Sequence, residues 1–197
     1  MVRNPMEVRP LAPQGTSDRW MWAIVLAATA LVVGLAILKG DPGRGSTEKA
    51  GEGRAAPRVS LPLLDGKGNA SLAAGRVTVV DFWATWCAPC RASMPRVQQL
   101  WQEYLPKGVD LYSVDTDNAS NDREALVKEF LLQYGLTFPV VLDDGSAQNA
   151  FAIANLPTIV VVDQKGRIVW SHIGALTAPY ETDLRGILDR TLAKGGL

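Results

Sequence analysis

The stretch VTVVDFWATWCAPCRASMP, residues 77–95, decides the fold of this 197-residue chain. It opens with apolar and β-branched residues typical of a strand buried on both faces. Apolar residues at helical spacing then predict a helix to about Tyr104. The only cysteines of the chain, Cys87 and Cys90, lie where the strand gives way to the helix. A C-x-x-C pair at such a junction indicates thiol–disulfide exchange, whereas a bridge closing so short a loop would stabilise the fold little.

The positions of the two cysteines predict different roles. At the start of the helix, Cys87 would face the positive end of the helix dipole and unpaired N–H groups, which stabilise a thiolate. Cys90 lies one helical turn further on, where it can resolve a mixed disulfide. Pro89 lacks only an N–H that the first turn does not use. We therefore expect Cys87 to attack and Cys90 to resolve.

Asp81 stands in the apolar strand, six residues before Cys87. Burial disfavours the charged carboxylate and raises its pKa towards neutrality. Such a group could exchange a proton with the resolving cysteine through water. The alternative is an aspartate at the strand end that is satisfied by backbone donors, and we favour proton transfer.

Composition excludes several classes of function. The chain is 47% hydrophobic and 20% charged with a formal net charge of zero, so it is globular and carries no basic field for nucleic acid. A zinc site needs about four ligands, and the single histidine, His172, is distant in sequence. We expect no metal and no cofactor, with His172 on the solvated surface. Asp115-Thr116-Asp117 is predicted to be a strand-end loop, and Trp83 and Trp86 fit either core or substrate rim.

Four segments are predicted along the chain: a short cytoplasmic N-terminus at residues 1–19, a transmembrane signal-anchor helix at 20–38, a flexible linker at 39–57 and a globular domain at 58–197. Residues 20–38 carry no charge, and about 20 apolar residues span a bilayer. A cleaved signal peptide is the alternative, but its apolar region is usually about 7–15 residues. Lysines and arginines flank both sides of the span, so charge leaves the orientation open.

Within the domain, hydrophobic periodicity predicts strands alternating with helices, then a hairpin and a last helix. The predicted strands are residues 59–64, 77–82, 109–114, 139–142, 158–162 and 167–171. The predicted helices follow the cysteines, cover 122–134 and 146–153, and end the chain around Leu184 and Leu192. This pattern predicts an α/β domain whose mixed sheet is flanked by helices on both faces.

VDFWATWCAPC resembles the active-site strand of the thioredoxin superfamily. WCAPCRASMP, the insert at about residues 117–142 and the anchor are similar to the TlpA/ResA branch of exported, membrane-tethered thioredoxins. The resemblance covers about residues 57–197 and implies a thioredoxin-like mixed sheet preceded by one N-terminal transmembrane helix. It makes Pro157 a cis-proline facing the cysteines, although the local sequence alone favours a trans bond. The substrate-binding residues expected on these grounds are Trp86, Ala88, Pro89, Leu156, Pro157 and Gly174.

Two positions depart from this branch. It often has Asn where this chain has Asp81, so the buried acid is more like that of thioredoxin itself. It also often has Glu three residues after the second cysteine, where this chain has Ser93. That departure weakens an assignment to cytochrome c maturation.

The expected function is that of a membrane-tethered thiol:disulfide oxidoreductase that reduces disulfides of exported proteins. The expected location is the bacterial cytoplasmic (inner) membrane, single-pass, with the domain on the periplasmic side. The expected partners are an exported protein disulfide and, from the resemblance, a membrane thiol-reductant donor. One alternative is a metallochaperone for an oxidase copper site, which would use C-x-x-x-C and a histidine. The other is a thiol peroxidase, which would want a P-x-x-x-T-x-x-C setting.

Overall fold

The computed structural model describes a helix, α1, at Ser17–Lys39, with the side chains of residues 20–31, and then residues 52–73 and 75–195. The helix and the later residues fall into separate units. Among these described residues, no helix combines the length and the apolar character needed to cross a membrane. Most of the predicted N-terminal segment and residues 40–51 of the predicted linker lie outside the described part. Gly53 is already bonded to the domain, through its N–H to the Ile168 carbonyl (2.7 Å).

The domain alternates strands and helices much as the periodicity predicts. Its strands are β1 Ser60–Pro62, β2 Asn69–Ser71, β3 Thr78–Trp83, β4 Asp110–Asp115, β5 Val140–Leu142, β6 Thr158–Val162 and β7 Ile168–Ile173. Its helices are α2 Ala88–Tyr104, α3 Arg123–Tyr134, α4 Ser146–Ala150 and α5 Ala178–Gly195, with a 3₁₀ turn at Leu105–Lys107. The helix predicted at 146–153 is shorter than expected.

A five-stranded mixed sheet in the order β5-β4-β3-β6-β7 forms the centre of the domain. Strands β3, β4 and β5 are parallel, whereas β6 runs antiparallel to both β3 and β7. All six side chains of β3 are buried, as its mainly apolar and β-branched sequence predicts. The strand predicted at 59–64 is present as the shorter β1, which pairs in a separate antiparallel hairpin with β2, a strand that was not predicted.

The side chains of β3 alternate between two hydrophobic clusters, one on each face of the sheet. Val79 and Trp83 pack in the cluster that also holds residues of α2, α3 and α5. Val80 and Phe82 pack in the other, with residues of α4 and of the β1–β2 hairpin. The prediction of helices on both faces is confirmed.

The expectation that His172 is a surface residue is wrong. Strand β7 extends through Ile173, and the His172 side chain is buried. Its ring lies 3.8 Å, centroid to centroid, from that of Tyr180 on α5. This burial lowers the pKa of His172. The cover comes from a helix that follows the strand, and the local sequence around His172 does not indicate that contact.

Candidate active site

The redox pair lies in the turn that joins β3 to α2. The N–H of Cys87 donates to the Ala84 carbonyl (3.1 Å) and closes this turn. Cys87 then caps α2, and its Sγ accepts a hydrogen bond from the backbone N–H of Cys90 (3.2 Å). The two cysteines form a disulfide with their Cα atoms 5.2 Å apart. Cys87 keeps 4% of its surface exposed and Cys90 keeps none, so the first cysteine is the one that a partner can reach.

The start of α2 favours negative charge at Cys87. Pro89 stands in the first turn, and no acidic residue is present there to oppose a thiolate. The Cys90 N–H and the positive end of the helix dipole both point towards the sulfur. After reduction, this geometry stabilises the thiolate of Cys87, which is the form that attacks a disulfide.

Asp81 is buried in β3, with 2% of its surface exposed. It shares its face of the sheet with Val79 and Trp83, because residues two apart in a strand point the same way. That face carries the cluster to which Cys87 and Cys90 belong. Burial raises the pKa of Asp81 to about 7, against a weaker lowering by the Ser113 hydroxyl, which donates to its Oδ2 (3.4 Å). The predicted burial and raised pKa are confirmed, and the proton-transfer role stays a prediction.

A cleft of about 540 Å³ opens beside Cys87. The predicted residues Trp86, Ala88 and Pro89 line one side of it and Leu156 lines another. The remaining lining residues are Thr116, Asn118, Gln148, Ala154 and Asn155. Trp86 is 66% exposed, so it is a rim residue, whereas Trp83 is core.

The Leu156–Pro157 peptide bond is cis, as the resemblance implies and contrary to the local sequence. Pro157 is buried immediately before β6, and its carbonyl accepts a hydrogen bond from the Gly174 N–H (2.8 Å). Gly174 has a φ of +109°, a conformation that favours glycine. Pro157 and Gly174 therefore support the cleft and are not among the residues that line it.

Ser93 connects this loop to the redox helix. Its buried hydroxyl donates to the Pro89 carbonyl (3.0 Å) and accepts the N–H of Leu176 (2.9 Å). The loop that follows β7 is thereby bonded to the first turn of α2. Sequence reasoning noted Ser93 only as a missing acid, because its partner Leu176 is 83 positions away.

Sequence reasoning also missed the residues that hold the turn from outside. The N–H of Thr85 donates to Oδ2 of Asp117 (3.0 Å), and the Thr85 carbonyl accepts from Nη1 of Arg91 (2.9 Å). The acidic pattern at 115–117 was the only signal for this role. Among the described residues, no three His, Cys, Asp or Glu side chains form a group that could hold a metal ion.

Comparison with known proteins agrees with this geometry. The Redoxin family model matches residues 51–188. The thiol-disulfide oxidoreductase ResA of Halalkalibacterium halodurans is 32% identical over 162 residues, which are 80% of this chain and 88% of that protein. The chain belongs to the ResA-like thiol:disulfide oxidoreductases of the Redoxin family. Its enzymatic activity is thiol–disulfide exchange, and Cys87 and Cys90 are its redox pair.

Solved structures support the fold of this ResA-like protein. A candidate DsbE thiol:disulfide interchange protein from Chlorobium tepidum matches with a TM-score of 0.63 at 29% identity, over 72% of this chain and 97% of its own. StoA from Bacillus subtilis matches with a TM-score of 0.58 at 27% identity, over 66% of this chain and 96% of its own. The thioredoxin-like α/β fold with a mixed sheet and flanking helices is confirmed.

The raised pKa of Asp81 predicts how the stability of the oxidised ResA-like protein depends on pH. Between the ordinary pKa of 3.8 and the folded value of about 7, the unfolded chain loses a proton that the folded chain keeps. The free energy of unfolding therefore falls as pH rises, by about 1.4 kcal/mol per unit for this one group, and levels off above pH 7. Asp81→Asn has no such proton, so its stability relative to wild type should rise by about 2–3 kcal/mol from pH 5 to pH 8.

Urea unfolding at both pH values measures this difference. Asp122→Asn, which changes an exposed acid, is the control and should track wild type at both pH values. A difference between Asp81→Asn and wild type that does not change with pH would contradict the prediction.

Proposed function

We propose that this ResA-like protein is a membrane-tethered reductase of disulfides in exported proteins. The observation that carries the proposal is the asymmetry of the redox pair at the start of α2. Cys87 lies at the edge of a cleft that a client polypeptide can enter, whereas Cys90 has no exposed surface. An accessible attacking sulfur with a shielded resolving sulfur is what reduction of a large substrate requires.

The reaction begins with the reduced pair. The Cys87 thiolate attacks one sulfur of the client disulfide, the client S–S bond breaks, and the other client sulfur leaves as a thiolate that takes up a proton. Cys90 then loses its proton to the Asp81 carboxylate through water and attacks Sγ of Cys87. The mixed disulfide breaks, the second client sulfur leaves as a thiolate, and the Cys87–Cys90 disulfide forms. Two electrons have passed from the protein to the client, and a membrane thiol-reductant donor restores the pair.

Asp81 supports this mechanism because resolution by Cys90 is the step that needs a proton acceptor. A carboxyl with a pKa of about 7 can both accept and return a proton near neutral pH. It stands on the sheet face that carries the redox pair, and Ser113 is a weak partner at 3.4 Å. Nothing comparable supports the metallochaperone alternative, since the described residues hold no metal-binding group around the cysteines.

We infer membrane tethering at the bacterial cytoplasmic membrane, with the domain on the periplasmic side, from the N-terminal segment. Residues 20–38 carry no charge. The described side chains in this stretch, residues 20–31, are exposed on a helix. Exposed tryptophans at one end of an apolar helix are typical of membrane–water interfaces, and Trp20 and Trp22 stand there.

Substitution of the cysteines tests the reaction. We expect the full chain in detergent to accelerate insulin disulfide reduction, and Cys87→Ser to abolish this because no attacking thiolate remains. Cys90→Ser should also lose turnover, but it should accumulate mixed disulfides through Cys87 that are visible on non-reducing gels of cell extracts. Full activity after both substitutions would exclude the mechanism, and trapping by Cys87→Ser instead would reverse the two roles.

Substitution of Asp81 tests the proton transfer. Rates of mixed-disulfide resolution, measured by stopped flow, should rise with pH through about 7 in wild type as Asp81 ionises. Asp81→Asn should be at least about tenfold slower at pH 7, since it cannot accept a proton, and should lack this inflection. Ser113→Ala is the matched variant: it removes the hydroxyl that lowers the pKa of Asp81, so the inflection should move to higher pH. An unchanged profile in Asp81→Asn would remove this carboxylate from the mechanism.

Fractionation tests the tether. The full chain should sediment with bacterial membranes and resist carbonate extraction, whereas a chain without residues 1–38 should be soluble. Alkaline phosphatase fused to the C-terminus should be active, because this reporter needs export. Recovery of the full chain in the soluble fraction would contradict tethering, and an inactive fusion would contradict the orientation.

A further inference from the structure

Three charged side chains that the proposed reaction does not use lie behind the redox turn. Asp115, Asp117 and Arg123 are all buried. Buried charges are rare unless they are paired, and breaking such a pair is strongly destabilising. The contacts that these three side chains make therefore decide what they do in the fold.

Arg123 and Asp115 form a buried ion pair within this cluster. Arg123 donates from Nε to Oδ2 of Asp115 (2.7 Å), from Nη2 to the Asp115 carbonyl (2.5 Å), and from Nη1 to the Asp143 carbonyl (2.7 Å). The N–H of Asp117 donates to Oδ1 of Asp115 (3.4 Å). Burial and then a hydrogen bond with the Asp117 carboxyl raise the pKa of Asp115 to about 7.

Asp117 connects this ion pair to the redox turn. Its Oδ2 accepts the N–H of Thr85, a residue inside the turn that the Cys87 N–H closes onto the Ala84 carbonyl. The Thr85 carbonyl is held from the other side by Arg91 of α2. Both backbone polar groups of Thr85 are thus held by charged side chains of other elements. The conformation of this turn decides where Sγ of Cys87 lies relative to the N–H of Cys90.

The same cluster also connects to Gln148, another residue of the cleft lining. Asp143, whose carbonyl Arg123 holds, accepts the N–H groups of Ala147 and Gln148 on its two carboxylate oxygens (2.9 Å each). Gln148 and Cys87 both line the cleft. One network of hydrogen bonds therefore connects the redox turn with a second segment of the cleft lining.

We propose that Asp117 is a positioning residue of the redox pair: by holding the Thr85 N–H, its carboxylate keeps Sγ of Cys87 against the N–H of Cys90. The proposal rests on thiol–disulfide exchange at Cys87 and is independent of the net direction of electron transfer. Asp117 acts through the backbone of the turn and does not touch the client. What matters at position 117 is a side-chain oxygen that accepts the hydrogen bond from the Thr85 N–H. The negative charge of Asp117 is not required.

The acceptor and the charge can be separated by two substitutions. Asp117→Asn keeps a side-chain oxygen for Thr85 and offers an N–H to Asp115, whereas Asp117→Ala removes the acceptor. Asp122→Ala, at an exposed acid of the same loop with no side-chain bond to α3, is the control. The readout is the rate of iodoacetamide alkylation of Cys87 in the reduced full chain, followed by mass spectrometry as a function of pH.

We expect Asp117→Ala to raise the pH midpoint of Cys87 alkylation by about one unit, because the Cys90 N–H no longer stabilises the thiolate. Insulin reduction at neutral pH should fall about tenfold. Asp117→Asn should restore the midpoint to within a few tenths of a unit and the rate to within about twofold, and Asp122→Ala should match wild type. If Asp117→Asn behaves like Asp117→Ala, or if Asp117→Ala leaves the midpoint unchanged, the proposal is overturned.

Hydrogen exchange in wild type tests the same contact without any substitution, and it decides the matter if Asp117→Ala does not fold. The Thr85 amide should exchange at least about 100-fold more slowly than an unprotected peptide amide, because its donor is held by a buried carboxylate. Thermal unfolding of each variant reports whether it is folded. Exchange of the Thr85 amide at the unprotected rate would overturn the proposal.

Discussion

The chemistry of this protein depends on one backbone donor, the N–H of Cys90, which points at Sγ of Cys87. That contact exists only because a strand ends and a helix begins within a few residues. Strand β3 is paired on both sides and buried on both faces, so its end is fixed by the whole sheet. Helix α2 packs through Met94, Val97 and Leu100 on the hydrophobic cluster that contains Val79 and Trp83 of β3. The short turn between two such rigid elements leaves the first cysteine little freedom.

Two acids near this turn have pKa values that are raised chiefly by burial, but they differ in their hydrogen-bond partners. Asp81 is opposed only by the hydroxyl of Ser113, so burial dominates and the group can gain or lose a proton at little cost near pH 7. Asp115 is bonded to the guanidinium of Arg123 and to Asp117. Asp115, with several hydrogen bonds, is suited to fixing the positions of its neighbours. Asp81, with one weak hydrogen bond, is suited to carrying a proton.

The features that the sequence predicted correctly depend on local pattern. A mainly apolar and β-branched run predicts the central β3, and the aspartate inside that run predicts a buried acid. The C-x-x-C spacing places one cysteine at the helix start and the other a turn later. These inferences need no knowledge of the rest of the fold.

The features that sequence reasoning missed depend on contacts between distant segments. His172 is covered by Tyr180 of the following helix, and Asp117 meets Thr85 across 32 positions. The β1–β2 hairpin is formed by strands of three residues. Such strands are too short for an alternation of buried and exposed residues to be recognised in the sequence. The cis bond before Pro157 is disfavoured locally, and only the resemblance to a family indicated it.

Ser93 holds the loop after β7 against α2 with an uncharged side chain. A side chain one turn after the second cysteine lies between α2 and the loop after β7. Here its hydroxyl uses both its donor and its acceptor inside the fold, on the Pro89 carbonyl and the Leu176 N–H. The loop so fixed donates from Gly174 to the Pro157 carbonyl, at the edge of the cleft. Beside this edge, the cleft presents the side-chain amides of Asn118, Gln148 and Asn155 and the exposed ring of Trp86.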